Sequence, residues 1–134
     1  MFYAVVAGLA GLPVETVQAK VPTGAGPVIA QLQERLDERL VDFPSARFKQ
    51  VRIEIFPNGN GYLACGLVNS KNSAGGYTGW LLFDVQHMPG SDDVKIGEDK
   101  EFSIANVQIK GVCEQPGNRW LDGDFSSALT SHER

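Results

Sequence analysis

Few side chains in this sequence could act as nucleophile, base or metal ligand. They are two cysteines, Cys65 and Cys113, two histidines, His87 and His132, and scattered carboxylates. A cysteine nucleophile needs a base within hydrogen-bond reach and a third group to orient that base. Pairing the segments on either side of the 69–76 loop puts Cys65 opposite Leu81, well away from His87. His132 lies in the tail, where tethering is weakest. No catalytic residue is therefore assigned, and Cys65 reads as a small apolar residue. With no C-x-x-C and two histidines far apart, a zinc site is not expected. Asp92, Asp93, Glu98, Asp99 and Glu101 crowd one segment without the D-x-[DN]-x-[DN]-G spacing of a calcium loop. They read as a solvated turn, and Glu54 and Asp84 read as carboxylates on the wet side of strands. Phosphate-cradling, G-x-S-x-G and H-E-x-x-H motifs are missing too, and no metal or cofactor is expected.

The most distinctive run is CGLVNSKNSAGGYTGW, residues 65–80. Gly75 and Gly76 suit a turn, and Asn69, Ser70, Asn72 and Ser73 can satisfy neighbouring backbone groups. Gly79 in a strand-like context suggests a bulge or a close backbone approach. One reading is thus an ordered loop whose composition serves its own geometry. The other gathers Asn69, Lys71, Asn72, Tyr77 and Trp80 into a polar and aromatic platform for a sugar or peptide.

The elements that would position these residues can be read from periodicity. Residues 20–27 (KVPTGAGP) form a linker. From Pro27, apolar Val28, Ile29, Leu32, Leu36 and Leu40 recur at three- and four-residue spacing, predicting an amphipathic helix that stops near Asp42, ahead of Pro44. Residues 48–56 alternate Val51, Ile53 and Ile55 with polar neighbours and predict a strand. Asn58-Gly59 and Asn60-Gly61 predict a tight hairpin into a second strand, 62–69, with Leu63, Cys65 and Leu67 on one face. A third strand is expected over 77–86, a turn or connection over 88–101, a fourth strand over 102–113, and an irregular tail with a short terminal helix. The fold class is α+β: one N-terminal amphipathic helix packed on an antiparallel β-meander of about four strands.

That topology bears on the cysteines. If strand order follows sequence, strands two and four lie about 9–10 Å apart, beyond the Cα separation of about 7 Å that a disulfide tolerates. A Cys65–Cys113 bridge then requires the last strand to pair beside the second, or the segment around Cys113 to fold back over the sheet. Otherwise both are buried thiols.

Composition frames the rest. The 134 residues are 43% hydrophobic and 21% charged with a net charge of −4, values that fit one globular domain over 20–134. Without a cationic surface to release counterions from phosphates, nucleic acid is not expected as a partner. Residues 1–19 hold an apolar stretch, 2–14, too short to span a bilayer, then Val17-Gln18-Ala19 with small residues placed for cleavage after Ala19. No base precedes Lys20, so the segment fits either an export leader or a buried N-terminal element.

Two stretches carry a resemblance. DFPSARFKQV, residues 42–51, and CGLVNSKN with GGYTGW, residues 65–72 and 75–80, resemble a group of small bacterial exported proteins. Their pattern is D-P-x-S-A-x-F-x-x-V followed by C-G-x-V-N-x-K-N-x-x-G-G-Y-x-G-[FW]. Phe43 is inserted between Asp42 and Pro44, and Leu67 stands where an acid is common. The resemblance implies a periplasmic or secreted protein and implies no activity. The expectation is a non-enzymatic protein that binds an unknown protein or envelope ligand, with no transmembrane span. The alternatives are a small cell-wall or peptide hydrolase using Cys65, or a structural subunit or inhibitor of an envelope complex.

Overall fold

A computed structural model describes residues 24–130. The candidate leader, 1–19, and His132 lie outside the described residues. The chain runs α1 (Ala25–Arg39), β1 (Asp42–Ile55), a 3-10 turn (Pro57–Gly59), β2 (Tyr62–Lys71), β3 (Leu81–Met88), β4 (Ser91–Ile96), α2 (Ile104–Cys113) and α3 (Ser126–Thr130). The strands form one antiparallel sheet in the order β1-β2-β3-β4, so the protein is α+β.

The first helix starts at Ala25 and ends at Arg39, before the expected stop. Leu40 turns extended (φ −84°, ψ 143°), its N–H donating to the Leu36 carbonyl at 2.8 Å. The chain can leave the helix early because β1 begins at Asp42, six residues ahead of the sequence estimate, with Asp42 paired to Lys71 and Arg47 to Asn69. Register shifts between those two pairs and again further on, where Lys49 pairs with Leu67 but Arg52 with Cys65, so that β1 carries one extra residue at this second shift. That bulge sits at Gln50, whose φ is 57°. It keeps Phe48 and Val51 on one face although they are three residues apart, and puts Arg47, Lys49 and Arg52 on the other.

Both faces of the sheet are covered, where a single buried face was expected. The inner face carries Phe48, Val51, Ile53, Ala64, Val68, Phe83 and Val85, in one cluster with Ile29, Leu32 and Leu36 of α1 and Phe125 and Leu129 from the C-terminal segment. The outer face carries Leu63 and Cys65, which pack with Ile109 and Cys113 of α2 and are flanked by Phe56, Leu82 and Trp120.

The 102–113 segment is the main departure from expectation. It is the helix α2, not a fourth strand. Ser103 caps it, its Oγ accepting from the Asn106 N–H at 2.9 Å, and Asn106, Ile109 and Cys113 form its buried stripe at three- and four-residue spacing. Val107, which shares strand parity with Ile109 and Cys113 in the sequence, faces solvent, as does Ile104. The true fourth strand lies in the acidic segment expected as a connection. Pro89-Gly90 makes a two-residue hairpin that pairs Met88 with Ser91, and Val94 and Ile96 reach the inner core. Acid-rich 91–96 is tolerated as a strand because it is a sheet edge, where charge is normal. The third strand begins at Leu81 instead of residue 77, since 72–80 form the loop.

Cys65 and Cys113 are joined as a disulfide with Cα atoms 6.1 Å apart. Of the two routes the spacing left open, the second holds: the segment bearing Cys113 folds back over the sheet as a helix. Among the described residues no helix is long and apolar enough to cross a membrane.

Candidate functional site

The 72–80 loop is built from its own side chains. Asn72 Oδ1 accepts from the N–H groups of Ala74 (2.9 Å) and Gly76 (3.2 Å), and Asn72 N–H donates to the Gly76 carbonyl at 2.8 Å. Asn69 Oδ1 accepts from Gly79 N–H at 3.0 Å, and Thr78 N–H donates to the Ser70 carbonyl. The loop is tied to the start of β1 by Ser45. Its hydroxyl accepts from Lys71 N–H at 2.9 Å and donates to the Asp42 carbonyl, while Tyr77 Oη donates to the Ser45 carbonyl at 3.2 Å. Asn69 and Asn72 thus spend their carbonyl oxygens on backbone. Of the five residues grouped as a platform, Lys71, Asn72, Tyr77 and Trp80 are exposed, Tyr77 at 39% and Trp80 at 41%. With the Asn72 oxygen and the Tyr77 hydroxyl bonded to backbone, Lys71 and the rings of Tyr77 and Trp80 are what the platform offers a ligand.

These three do not stand alone. Arg47 lies 4.5 Å from the centre of the Tyr77 ring, with Lys71 Nζ 5.8 Å from the same ring; Lys49 Nζ is 4.3 Å from Trp80, and Arg52 is 4.4 Å from Trp120. Three successive outward cations of β1 therefore each rest against a ring. Such contacts orient the cation while leaving its charge in place. Among the described residues, none of Arg47, Lys49, Arg52 or Lys71 has a carboxylate within ion-pair distance; the recorded pairs involve Arg35, His87 and Lys95 instead. Sequence reading missed Arg47, Lys49, Arg52 and Trp120 as site residues. The signal for the first two was present in their alternate spacing on β1, whereas nothing local to Trp120 places it beside Arg52.

The row runs into a cleft of about 370 Å³ between the outer face and α2. Leu67, Leu82, Ile109 and the disulfide form its apolar surface, with Gln50, Arg52, Lys110 and Glu114 at its polar side. That volume falls in the range of ligand pockets, about 300–1,000 Å³.

Asp84 corrects a further expectation. It was read as a solvated carboxylate, yet it is 0% exposed, because the outer face it occupies is roofed by α2. It pairs across the sheet with Cys65 on one side and Lys95 on the other, and neither carboxyl oxygen has a hydrogen-bond partner. Burial pushes its pKa up to about 6, against the pull of Lys95, whose ammonium bonds Asp93 instead. The folded state thus holds this proton more tightly than the unfolded chain does. The associated stability is full below about pH 4 and is lost as pH rises through about 6. Asp84→Asn, neutral throughout, is expected to gain on the wild type by about 2–3 kcal/mol between pH 4 and pH 8. Urea unfolding of both proteins across that range measures it, and a gap that does not widen with pH refutes it.

His87 lies opposite Tyr62, with the two rings stacked at 5.4 Å, and its Nδ1 bonds Asp92. The residue opposite Cys65 is Asp84 rather than Leu81. Cys65 is 1% exposed and its sulfur is committed to Cys113, so it offers no thiolate. Among the described residues no group of His, Cys, Asp and Glu is arranged to hold a metal ion. No protein-family model, curated protein or solved structure matches this chain.

Proposed function

We propose that this chain is a non-enzymatic exported protein, periplasmic or secreted, that works by binding a protein or envelope ligand on the outer face of β1 and β2. The observation that carries the reading is the row of ring-backed, unneutralised cations, Arg47, Lys49 and Arg52, beside exposed Tyr77 and Trp80. Exposed aromatic and Arg side chains on a rigid scaffold are the residue types that dominate binding surfaces. Export is supported by the disulfide, which persists in oxidising compartments, and by the resemblance of 42–51 and 65–80 to small exported proteins. The hydrolase alternative required a free Cys65, and the disulfide argues against it.

The test is site-specific photo-crosslinking in cells that export the full chain. A benzoylphenylalanine replacing Trp80 should yield a discrete adduct in the extracytoplasmic fraction. The same residue replacing Gln31, exposed on α1, should yield none. Equal adducts at both positions, or none at position 80, refute the reading.

A further inference from the structure

The chemistry of the outer face narrows what it binds, taking the binding reading above as its premise. Arg47 and Lys49 are alternate residues of a strand, so their side chains emerge about 6.6–7 Å apart, the repeat of alternate residues in any extended peptide. Arg52 continues the series across the Gln50 bulge. A partner carrying carboxylates at every second position of an extended segment would meet these cations in register. Because Tyr77, Trp80 and Trp120 already hold the cations in place, less side-chain freedom is lost when an anion arrives.

The cleft beyond Arg52 adds a second requirement. Its apolar side, formed by Leu67, Leu82 and Ile109 with the disulfide, favours a hydrocarbon or aromatic group next to the last negative charge, and Glu114 on its polar side disfavours a further carboxylate there. A sulfated sugar chain has charge at regular intervals but no such group. The rings on this face are also occupied by cations, Tyr77 by two, which argues against their serving to stack bases or sugars. A long polyanion would further meet Glu114 at the cleft and Asp93 on the outward parity of β4, in a protein of net charge −4. Attraction is confined to one short stripe, and a short acidic segment fits that length.

We propose that the outer face of β1 and β2 receives an extended acidic segment of a partner protein, with alternate carboxylates over Arg47, Lys49 and Arg52 and one apolar side chain in the cleft beneath α2.

Fluorescence anisotropy on the oxidised protein tests this with a short fluorescein-labelled peptide alternating glutamate and serine around one leucine. Replacing its glutamates by glutamine, or its leucine by serine, should each weaken binding about tenfold. The Lys49→Gln/Arg52→Gln variant should lose about tenfold toward the parent peptide and gain nothing toward the glutamine version. Both positions are exposed, and an unchanged urea midpoint confirms that the variant is folded. Tighter binding of a short oligothymidylate or a sulfated glycan would overturn the proposal. So would equal binding of the glutamine peptide, wild-type affinity in the double variant, or no peptide binding at all. If the peptide fails while the crosslink at position 80 persists, the ligand class is wrong and the binding face stands. Loss of both removes the premise.

Discussion

Replacing Cys65 and Cys113 together by alanine is expected to lower the unfolding free energy by about 4 kcal/mol, the chain-entropy value for closing a loop of this length. The two residues are 48 apart in sequence. The structural setting gives a reason for the loss to be felt locally first. α2 is held to the sheet by a small cluster, Leu63, Cys65, Ile109 and Cys113, while its Ile104 and Val107 face water. Without the bridge little apolar area remains to dock the helix, so amides of α2 should exchange with solvent much faster than those of β2 and β3. Urea unfolding and hydrogen exchange on the double variant read the two effects. A loss under about 1 kcal/mol with unchanged exchange in α2 would contradict the account. Because α2 also walls the cleft, the variant should bind an acidic peptide without discriminating its central leucine from serine.

The second large effect is expected at Gly61. Its φ is 113°, and a Cβ placed there would lie 1.7 Å from the His87 carbonyl oxygen and 2.7 Å from the carbonyl carbon. Both are backbone atoms of β3 in register with Tyr62, and Phe56 N–H donates to the Gly61 carbonyl at 2.8 Å. Relief therefore requires moving one strand of the sheet. Adding the cost of a disallowed φ, about 1–3 kcal/mol, to that of overpacking, about 1–3 kcal/mol, gives about 4 kcal/mol for Gly61→Ala. Gly59 supplies the control. Its φ is also positive, 71°, but a Cβ there meets nothing within 4 Å, so Gly59→Ala should cost only the left-handed strain, about 1–2 kcal/mol. Denaturant midpoints of the two variants decide the point, and equal losses would mean the contact with His87 does not matter.

The inner half of the fold was legible because its signals are local. The Asn-Gly steps at 58–61 mark the hairpin, and alternation at Val51/Ile53 and Phe83/Val85 marks the inward parity of β1 and β3. The outer half was not, for three separate reasons. Val107, Ile109 and Cys113 share a strand parity, and Val and Ile favour strands; the buried stripe is instead Asn106, Ile109 and Cys113, and its first member is polar. Asn106 is there to hold the preceding loop, with Nδ2 donating to the carbonyls of Glu98 and Lys100. β4 is too charged to announce itself and exists because β3 offers it an edge. Asp84 looked solvated because the helix that buries it comes twenty residues later. The cationic row shows the same limit: Arg47 and Lys49 alternate visibly, but their ring partners, Tyr77 and Trp80, come about thirty residues downstream.

The free edge of β1 is closed from the far end of the described chain. Leu121 N–H donates to the Ile53 carbonyl at 2.8 Å, Phe125 N–H to the Val51 carbonyl at 3.0 Å, and Val51 N–H to Asp124 Oδ1 at 3.1 Å, across 73 positions of sequence. A polypeptide that emerges from its N-terminus must therefore complete all four strands before that flank acquires its guard. Throughout this interval the central stretch of β1 offers unpaired amides and carbonyls to any neighbouring molecule in the same condition. Crowding of newly made copies is thus most hazardous before residue 125 is delivered, and the latch on β1 serves yield as much as the finished form.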